Sequence, residues 1–558
     1  MGTISDKLMR IINTKEDIRQ ALISKGYDVP TSIPFKEYAK MISDLPCRVD
    51  SFPDIEGIVA RYSALGLTNE QMTANPVWKD LIGNGHDLQM KNFSWSGMSG
   101  VGGYGDENYQ TFYKFTLDDY RFIASPPGVK HMNFTFRVTG LQPGNKLVLA
   151  FFETTNTIYG IWNKDGIYTV DADIVEAGKP TYFYNGYGAT RGEFTIEILP
   201  LYPGALVFDG VDDYGTCNNF PILTKEKGYT VVVLRQWDQD FLNTTLTGGL
   251  LSTRNYSTGE GVAFEKIESS NKGYWNLGAG GIIDFAKSPF TWQTSKQYNN
   301  VGILKGDKNH GKPLCVGCGL SGGQQCGRFA IWELVFLDHD ATEEELTKIK
   351  DYFVKTYPWL FPDQAWTVVG KTNEDEDRAT IANITGNGND LILSNFGFAE
   401  GSGYNEQGEY AGYLVTDGVD DKITSSIFKM GNDWTVIGDW ELINTGENDN
   451  AGIVKFDSIV IYNYNPMLIN IKNGRNNLIP DQNTVNAICS DGRIYSKDWK
   501  ESIYNEETES TSKNLLTIGY SGNIYTKIAF KNLAIYPTVL SKEDCIKAYN
   551  YLQTLKSK

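Results

Sequence analysis

One pair of short motifs occurs twice in this chain, and that repetition restricts the fold more than any other feature. Gly83-Asn84-Gly85-His86-Asp87-Leu88-Gln89-Met90-Lys91-Asn92-Phe93 returns as Gly386-Asn387-Gly388-Asn389-Asp390-Leu391-Ile392-Leu393-Ser394-Asn395-Phe396, with seven of eleven positions identical. Downstream, Leu206-Val207-Phe208-Asp209-Gly210-Val211-Asp212-Asp213 returns as Leu414-Val415-Thr416-Asp417-Gly418-Val419-Asp420-Asp421. Two copies of one domain explain both matches. The first motif moves by 303 positions between copies and the second by 208, so the first copy holds about 95 residues that the second lacks, between Gly105 and Pro203. That is the size of a small domain.

The insert has strand-like runs of its own at Asn133–Val138, Lys146–Phe152 and Gly192–Leu199, separated by turns such as Gln142-Pro143-Gly144-Asn145 and Lys164-Asp165-Gly166. It reads as a β-sandwich nested in a loop of the first copy. Further landmarks recur in order: Tyr229–Val233 with Trp434–Ile437, and Glu333–Leu337 with Asn532–Tyr536, both β-branched or apolar runs suited to buried strands. Each second run leads into a helix start. Thr342 with Glu345 and Ser541 with Asp544 place a hydroxyl at the cap and a carboxylate three residues on. Stripes at Leu346, Ile349, Tyr352, Phe353 and at Ile546, Tyr549, Leu552 follow with helical spacing.

An opening strand such as Ile58–Ser63, a Gly-Asn-Gly-x-Asp turn and a strand ending in Phe208-Asp209-Gly210-Val211-Asp212-Asp213-Tyr214 resemble the laminin G-like, concanavalin A-like jelly-roll superfamily. The second copy departs from that pattern, with Thr416 for the Phe, Lys422 for the Tyr and an opening on Trp366–Gly370. The resemblance implies packed antiparallel sheets, often used to bind sugars or proteins, and does not decide between those uses. The expected architecture is mainly β: two concanavalin A-like jelly-roll sandwiches, a small β-sandwich inserted in the first, and a short α-helical N-terminal module. The boundaries are 1–47 for the helical module, 48–105 and 204–361 for the two parts of the first jelly roll, 106–203 for the insert, and 362–558 for the second jelly roll.

Aromatic content of 13%, 57 Gly and 32 Tyr suit a β-rich chain full of turns. A net charge of −17 disfavours general affinity for nucleic acid or anionic membranes. No apolar run approaches the roughly 20 residues needed to span a bilayer, so membrane insertion is not expected. Nor does the N-terminus carry the apolar core and small-residue cleavage site of a secretory signal. A binding protein without such a signal fits a virion, which leaves its host by lysis.

Residues 1–47 differ in character. Ile4, Leu8, Ile11 and Ile12 form a helical stripe, a second helix restarts at Thr14 and stops at Gly26, and Pro34 opens a third bearing Phe35, Tyr38, Ala39 and Ile42. So small a segment needs a partner to bury its apolar faces. Its succession of motifs, Asn13-Thr14-Lys15, Ala21-Leu22-Ile23-Ser24-Lys25-Gly26, Val29-Pro30 and Phe35-Lys36-Glu37-Tyr38-Ala39, resembles a helical module at the N-terminus of many bacteriophage fibre and tail proteins. The joint arrangement resembles a fibre or appendage protein of a tailed phage, of the crAss-like group infecting gut Bacteroidales. It implies other virion proteins as partners through residues 1–47, homo-oligomerisation, a trimer by class, with no heptad to set it, assembly in the host bacterial cytoplasm and residence on the virion surface. Host-surface or mucus glycans are the expected ligands. A purely structural virion decoration or assembly protein is the alternative, and a polysaccharide depolymerase a minor one.

Catalytic signatures are not evident. Glycosidases of this superfamily set acidic residues alternately along one strand, because two carboxyl groups must flank the scissile bond. The nearest cluster here, Glu374-Asp375-Glu376-Asp377, is consecutive, so neighbours face opposite ways. The four histidines, His86, His131, His310 and His339, lie in no nucleophile motif, and Gly100-Val101-Gly102-Gly103 lacks the Lys and Ser/Thr of a phosphate loop. No enzyme activity and no cofactor are expected. For metals, Asp209, Asp212 and Asp213 with Asp417, Asp420 and Asp421 are the calcium alternative, against a tight-turn role in which Gly takes a positive φ and Asp binds nearby N–H groups. His310, Cys315, Cys318 and Cys326 are potential zinc ligands, but the second copy has no Cys in its equivalent stretch and no second pair completes the site. Ordinary thiols are expected instead, since seven scattered Cys do not resemble a disulfide framework. For sugar stacking, Trp95, Tyr104, Tyr256, Trp275 and Tyr404 lie in loop-like segments and are the aromatic candidates.

Overall fold

The computed structural model describes residues 15, 52–104, 112–125, 127, 131–153, 156–176, 178–186, 190–223, 228–238, 241, 244–253, 263–266, 272–275, 281–284, 314–320, 324–406, 410–426, 430–443, 451–456, 459–463, 468–471, 475–478, 485–496, 499, 501–503, 516–521 and 524–557. The expected N-terminal helical module lies outside the described residues, apart from Lys15.

The first jelly roll is organised around the ten-residue strand Arg328–Leu337, buried at nearly every position. Along one side it pairs first with Leu206–Asp209 and then with Ile58–Ser63; along the other it pairs throughout with Thr230–Trp237. The second copy repeats this around Ile528–Tyr536, flanked by Leu414–Val415 and Gln364–Thr367 on one side and Thr435–Leu442 on the other. Even the register irregularity recurs, between Leu234 and Arg235 and again between Asp439 and Trp440, five positions into each flanking strand. Bulges are retained features of a sheet, so the shared one reflects common descent of the two copies.

The facing sheets share one strand order. In the first copy it runs Val77–Trp78, Leu88–Lys91, Tyr214–Cys217, Leu314–Val316, Gly248–Ser252, Ala263–Lys266, Lys272–Trp275, Gly281–Asp284. In the second it runs Thr380–Ile381, Leu391–Ser394, Lys422–Ser425, Leu516–Ile518, Ala451–Phe456, Ile459–Asn463, Leu468–Ile471, Arg475–Leu478. Leu88 and Met90, like Leu391 and Leu393, point inward and their neighbours outward, the alternation of a sheet wetted on one face. Each copy encloses its own core, with Trp78, Phe208, Trp237 and Phe336 in the first and Trp366, Trp434, Trp440 and Phe530 in the second.

A third cluster joins the copies. Trp332, Tyr357, Trp359 and Leu360 pack with Tyr536, Ile546, Tyr549 and Tyr551, and the Tyr536 hydroxyl donates to the Trp359 carbonyl at 3.0 Å. The helix Lys542–Leu552 supplies much of this cluster, and Ser541 caps it by accepting from the Asp544 N–H. The helix Glu343–Thr356 has the expected capping box, Thr342 accepting from the Glu345 N–H while Glu345 accepts from the Thr342 N–H at 2.7 Å.

The insert leaves and re-enters the first jelly roll side by side, through bonds from Gly102 to Ala205, Leu201 to Gly103 and Tyr202 to Gly102. Between them lie two four-stranded antiparallel sheets. One is Gly166–Asp173, His131–Thr139, Phe194–Leu199 and Phe112–Phe115; the other is Arg121–Ser125, Thr181–Asn185, Leu147–Phe151 and Thr157–Trp162. Phe115, Phe134, Phe136, Leu149, Phe183 and Ile196 fill the space between.

Candidate ligand-binding face and the repeated aspartate turns

The second sheet of the insert carries an apolar outer face. Phe183 points into the sandwich core, so its neighbours Tyr182 and Tyr184 point out. Cross-strand partners share a face, which places Ile123, Tyr182, Ala150 and Ile158 in one row and Arg121, Tyr184, Val148 and Ile161 in the next. Val148, Ala150 and Tyr184 are buried beneath the half-buried Phe152 and Tyr182, while Ile123, Ile158, Ile161 and Tyr120 stay exposed. Tyr184 meets Phe152, Tyr120 and Tyr182 edge-on at 4.8, 5.5 and 6.0 Å between ring centroids. Two arginines lie across these rings, Arg121 at 4.2 Å over Tyr182 and Arg191 at 5.1 Å over Tyr120. Arg191 also borders an open groove of about 630 Å³ that includes Lys114, Gln142, Asn145 and Glu193.

None of the residues on this face was selected from the sequence. The available signal was Thr181-Tyr182-Phe183-Tyr184-Asn185, a strand in which aromatics alternate around an inward Phe. The aromatics that were selected are placed otherwise. Tyr404 is buried and its hydroxyl donates to the Arg378 carbonyl. Trp95 stacks on Phe93 at 4.6 Å and Tyr104 packs against the insert core, burial pushing its phenol pKa up. Tyr256 lies outside the described residues, as does the side chain of Trp275, which ends the strand Lys272–Trp275.

The calcium alternative draws on residues that the fold does assemble. Carboxylate oxygens of Asp209, Asp212 and Asp213 lie within 4.8 Å of one another, as do those of Asp417, Asp420 and Asp421. The chain's own donors engage them, however. Asp213 accepts from the Ser99 hydroxyl and the Asp209 N–H, and Asp209 accepts from the Val211 N–H. Asp421 accepts from Ser402 and the Asp417 N–H, and Asp417 from the N–H groups of Val419 and Asp420. Burial and the neighbouring carboxylates push Asp213 up to about 7. Burial likewise pushes Asp421 up to about 6. Calcium needs six to eight oxygens, several of them ionised. Two inner carboxyls whose ionisation burial opposes and which already accept from the chain's own donors fit that ion poorly, and fit the turn well. Gly210 and Gly418 take the positive φ that the turn requires.

The cysteines correct the expectation of ordinary thiols. Cys318 and Cys326 face each other across two paired strands and form a disulfide, so neither can serve zinc as a thiolate. Cys315 is a buried thiol beside them, its pKa pushed up to about 12 by burial, and His310 lies outside the described residues. Glu374, Glu376 and Asp377 are exposed; Asp375 caps the turn at Thr372 and Asp377 pairs with the Lys371 ammonium at 2.7 Å. The His86 ring packs on Phe220, and His339 lies 3.3 Å from Asp338. His131 opens a strand of the insert, and its side chain lies outside the described residues.

No protein-family model matches the chain, and no curated protein matches it. Among solved structures, the chain is similar to the botulinum neurotoxin serotype D binding domain at 11% identity and a TM-score of 0.24, over 62% of this chain and 89% of that one. It is also similar to Trypanosoma rangeli sialidase in complex with sialic acid, at 9% identity and a TM-score of 0.25, over 69% and 68%. Similarity at that level carries no argument about a ligand.

Proposed function

We propose that the chain is a non-enzymatic virion fibre protein of a tailed phage, on head or tail, anchored through residues 1–47 and presenting its β domains to glycans on the host surface or in mucus. One observation carries the glycan reading: the outer face of the insert, where Tyr182 and Tyr120 offer rings beside exposed Ile123, Ile158 and Ile161. Aromatic faces on a rigid sheet stack on the apolar faces of sugars, and the buried edge-on contacts around Tyr184 hold these rings in place. The motif succession in residues 1–47 supports the anchoring role and the phage setting; a trimer follows from the fibre class and gut Bacteroidales hosts from the overall style of the sequence. The acidic overall charge supports a partner other than nucleic acid.

The same exposed isoleucines favour a second reading, a structural virion protein whose insert packs against a neighbouring subunit. Fluorescent full-length chain added to encapsulated and capsule-deficient Bacteroidales cells separates the two. Saturable binding that disappears with the capsule supports the glycan reading. Absence of binding by folded, oligomeric chain supports the structural one, and release of sugar from capsule would revive the depolymerase.

A further inference from the structure

The two arginines on the insert face have a property that the stacked rings alone do not explain. Arg121 and Arg191 are both exposed, and both lie over tyrosine rings. Among the described residues neither is paired with a carboxylate, although the chain carries 68 Asp and Glu against 51 Lys and Arg. Three other arginines of the first jelly roll and insert are paired with carboxylates, Arg61 with Glu333, Arg137 with Glu197 and Glu543, and Arg328 with Asp238. A guanidinium resting on a ring is held flat, and with five N–H donors it can meet an oxyanion while Arg121 also bonds the Tyr184 side chain. Arg191 is fixed further, one Nη1–H donating to the Asp118 carbonyl at 3.2 Å. Beyond it the groove adds the exposed Lys114.

We propose that this face binds a carboxylate-bearing glycan, its carboxylates meeting Arg121 and Arg191 and its sugar rings packing beside them against the edges of Tyr182 and Tyr120 and the exposed Ile123, Ile158 and Ile161. The proposal rests on the glycan reading and narrows it to acidic sugars. A neutral sugar would use the rings and leave two cations without a counter-charge. An acidic one uses both features. The jelly rolls then act as the carrier and the insert as the binding head.

The test is calorimetric titration of the full-length chain with three probes: tetragalacturonate, 3′-sialyllactose and neutral cellotetraose. Tyr182→Ala, Arg121→Gln and Arg191→Gln are compared with the parent chain, each first shown to melt as the parent does. The expected result is binding of one carboxylated probe, weakened as salt rises. Each arginine substitution should weaken it about tenfold, the scale of one charge-assisted hydrogen bond, and Tyr182→Ala should abolish it. Tetragalacturonate or sialyllactose as the active probe identifies a uronic or a sialic acid ligand. Equal binding of cellotetraose, unaffected by the arginine substitutions, overturns the acidic assignment while leaving the glycan reading intact. Binding of no probe overturns the proposal. If Tyr182→Ala also lowers the oligomeric mass, the face is an interface between copies of this chain.

Discussion

Arg61 and Glu333 lie on neighbouring strands of the first jelly roll and are joined by two hydrogen bonds, Nε to Oε2 and Nη2 to Oε1, each 3.1 Å long. Glu333 is fully buried and also accepts from the Tyr357 hydroxyl at 2.8 Å. The second copy has Asn532 at the matching position beside the bulge, opposite Thr367, and folds without a charge there. Removing one partner of a buried pair strands the other, so Glu333→Ala should destabilise by about 3–5 kcal/mol, whereas the double change Arg61→Met with Glu333→Leu should recover most of that loss. Denaturant melts of the two variants check this; equal losses would contradict it.

The aspartate turns give a pH signature. Native Asp213, pushed up to about 7, keeps a proton that the unfolded chain releases near pH 4. The native state therefore binds more protons across that window, and stability falls as pH rises through it, by up to about 1.4 kcal/mol per pH unit. The effect is complete above pH 7. Asp213→Asn should flatten the fall in melting temperature between pH 5 and pH 8; an unchanged slope would show that Asp213 is ionised throughout.

Because donors of the chain itself already engage both oxygens of each inner carboxyl, metal removal should be silent. Melting temperature in EDTA should match that in millimolar calcium to within about 1 °C. A calcium-dependent rise of several degrees, lost in Asp213→Asn and Asp421→Asn, would assign the ion to these turns.

Asn92 and Asn395 occupy the left-handed region, at φ 67° and 72°, and donate side-chain N–H groups to the carbonyls of Asp212 and Asp420 at 3.0 and 2.9 Å. Asn92→Ala should cost about 1–3 kcal/mol, combining backbone strain with the lost bond, and Asn92→Gly less, since glycine removes the strain alone. Thermal melts of the two variants separate the contributions.

Beside the Cys318–Cys326 bond, Cys217, Cys315, Cys489 and Cys545 are thiols among the described residues. Alkylation of the denatured protein should add two fewer groups by mass before reduction than after it. Cys318→Ser with Cys326→Ser should destabilise by about 2 kcal/mol, the scale for a loop this short.

Much of the architecture was legible because it is periodic and local. The Gly-Asn-Gly and Asp-Gly-x-x-Asp turns, the helix caps and the alternation around Leu88 and Leu391 depend on residues a few positions apart, and duplication printed them twice. The unequal spacing of the two motifs located the insert.

The proposed binding face was not legible, and neither was the disulfide. Tyr120, Tyr182, Arg121 and Arg191 come from three segments of the insert; the pairing of Thr181–Asn185 with Arg121–Ser125 brings the first three together, and bonds from Asn185 to Gly192 and from Arg191 to the Asp118 carbonyl set the last beside them. Likewise Cys318 and Cys326 are bonded because strand register sets them opposite each other, a relation that their spacing does not encode. Tyr404 shows the converse: its loop-like, Gly-rich surroundings suggested exposure, yet the fold buries it. By itself the sequence determined the repeated sandwich, since turn geometry and side-chain alternation are short-range properties of the chain. Tertiary structure decided which aromatics face water and which of the described cations meet a carboxylate, because exposure and charge pairing depend on neighbours that only long-range contacts supply.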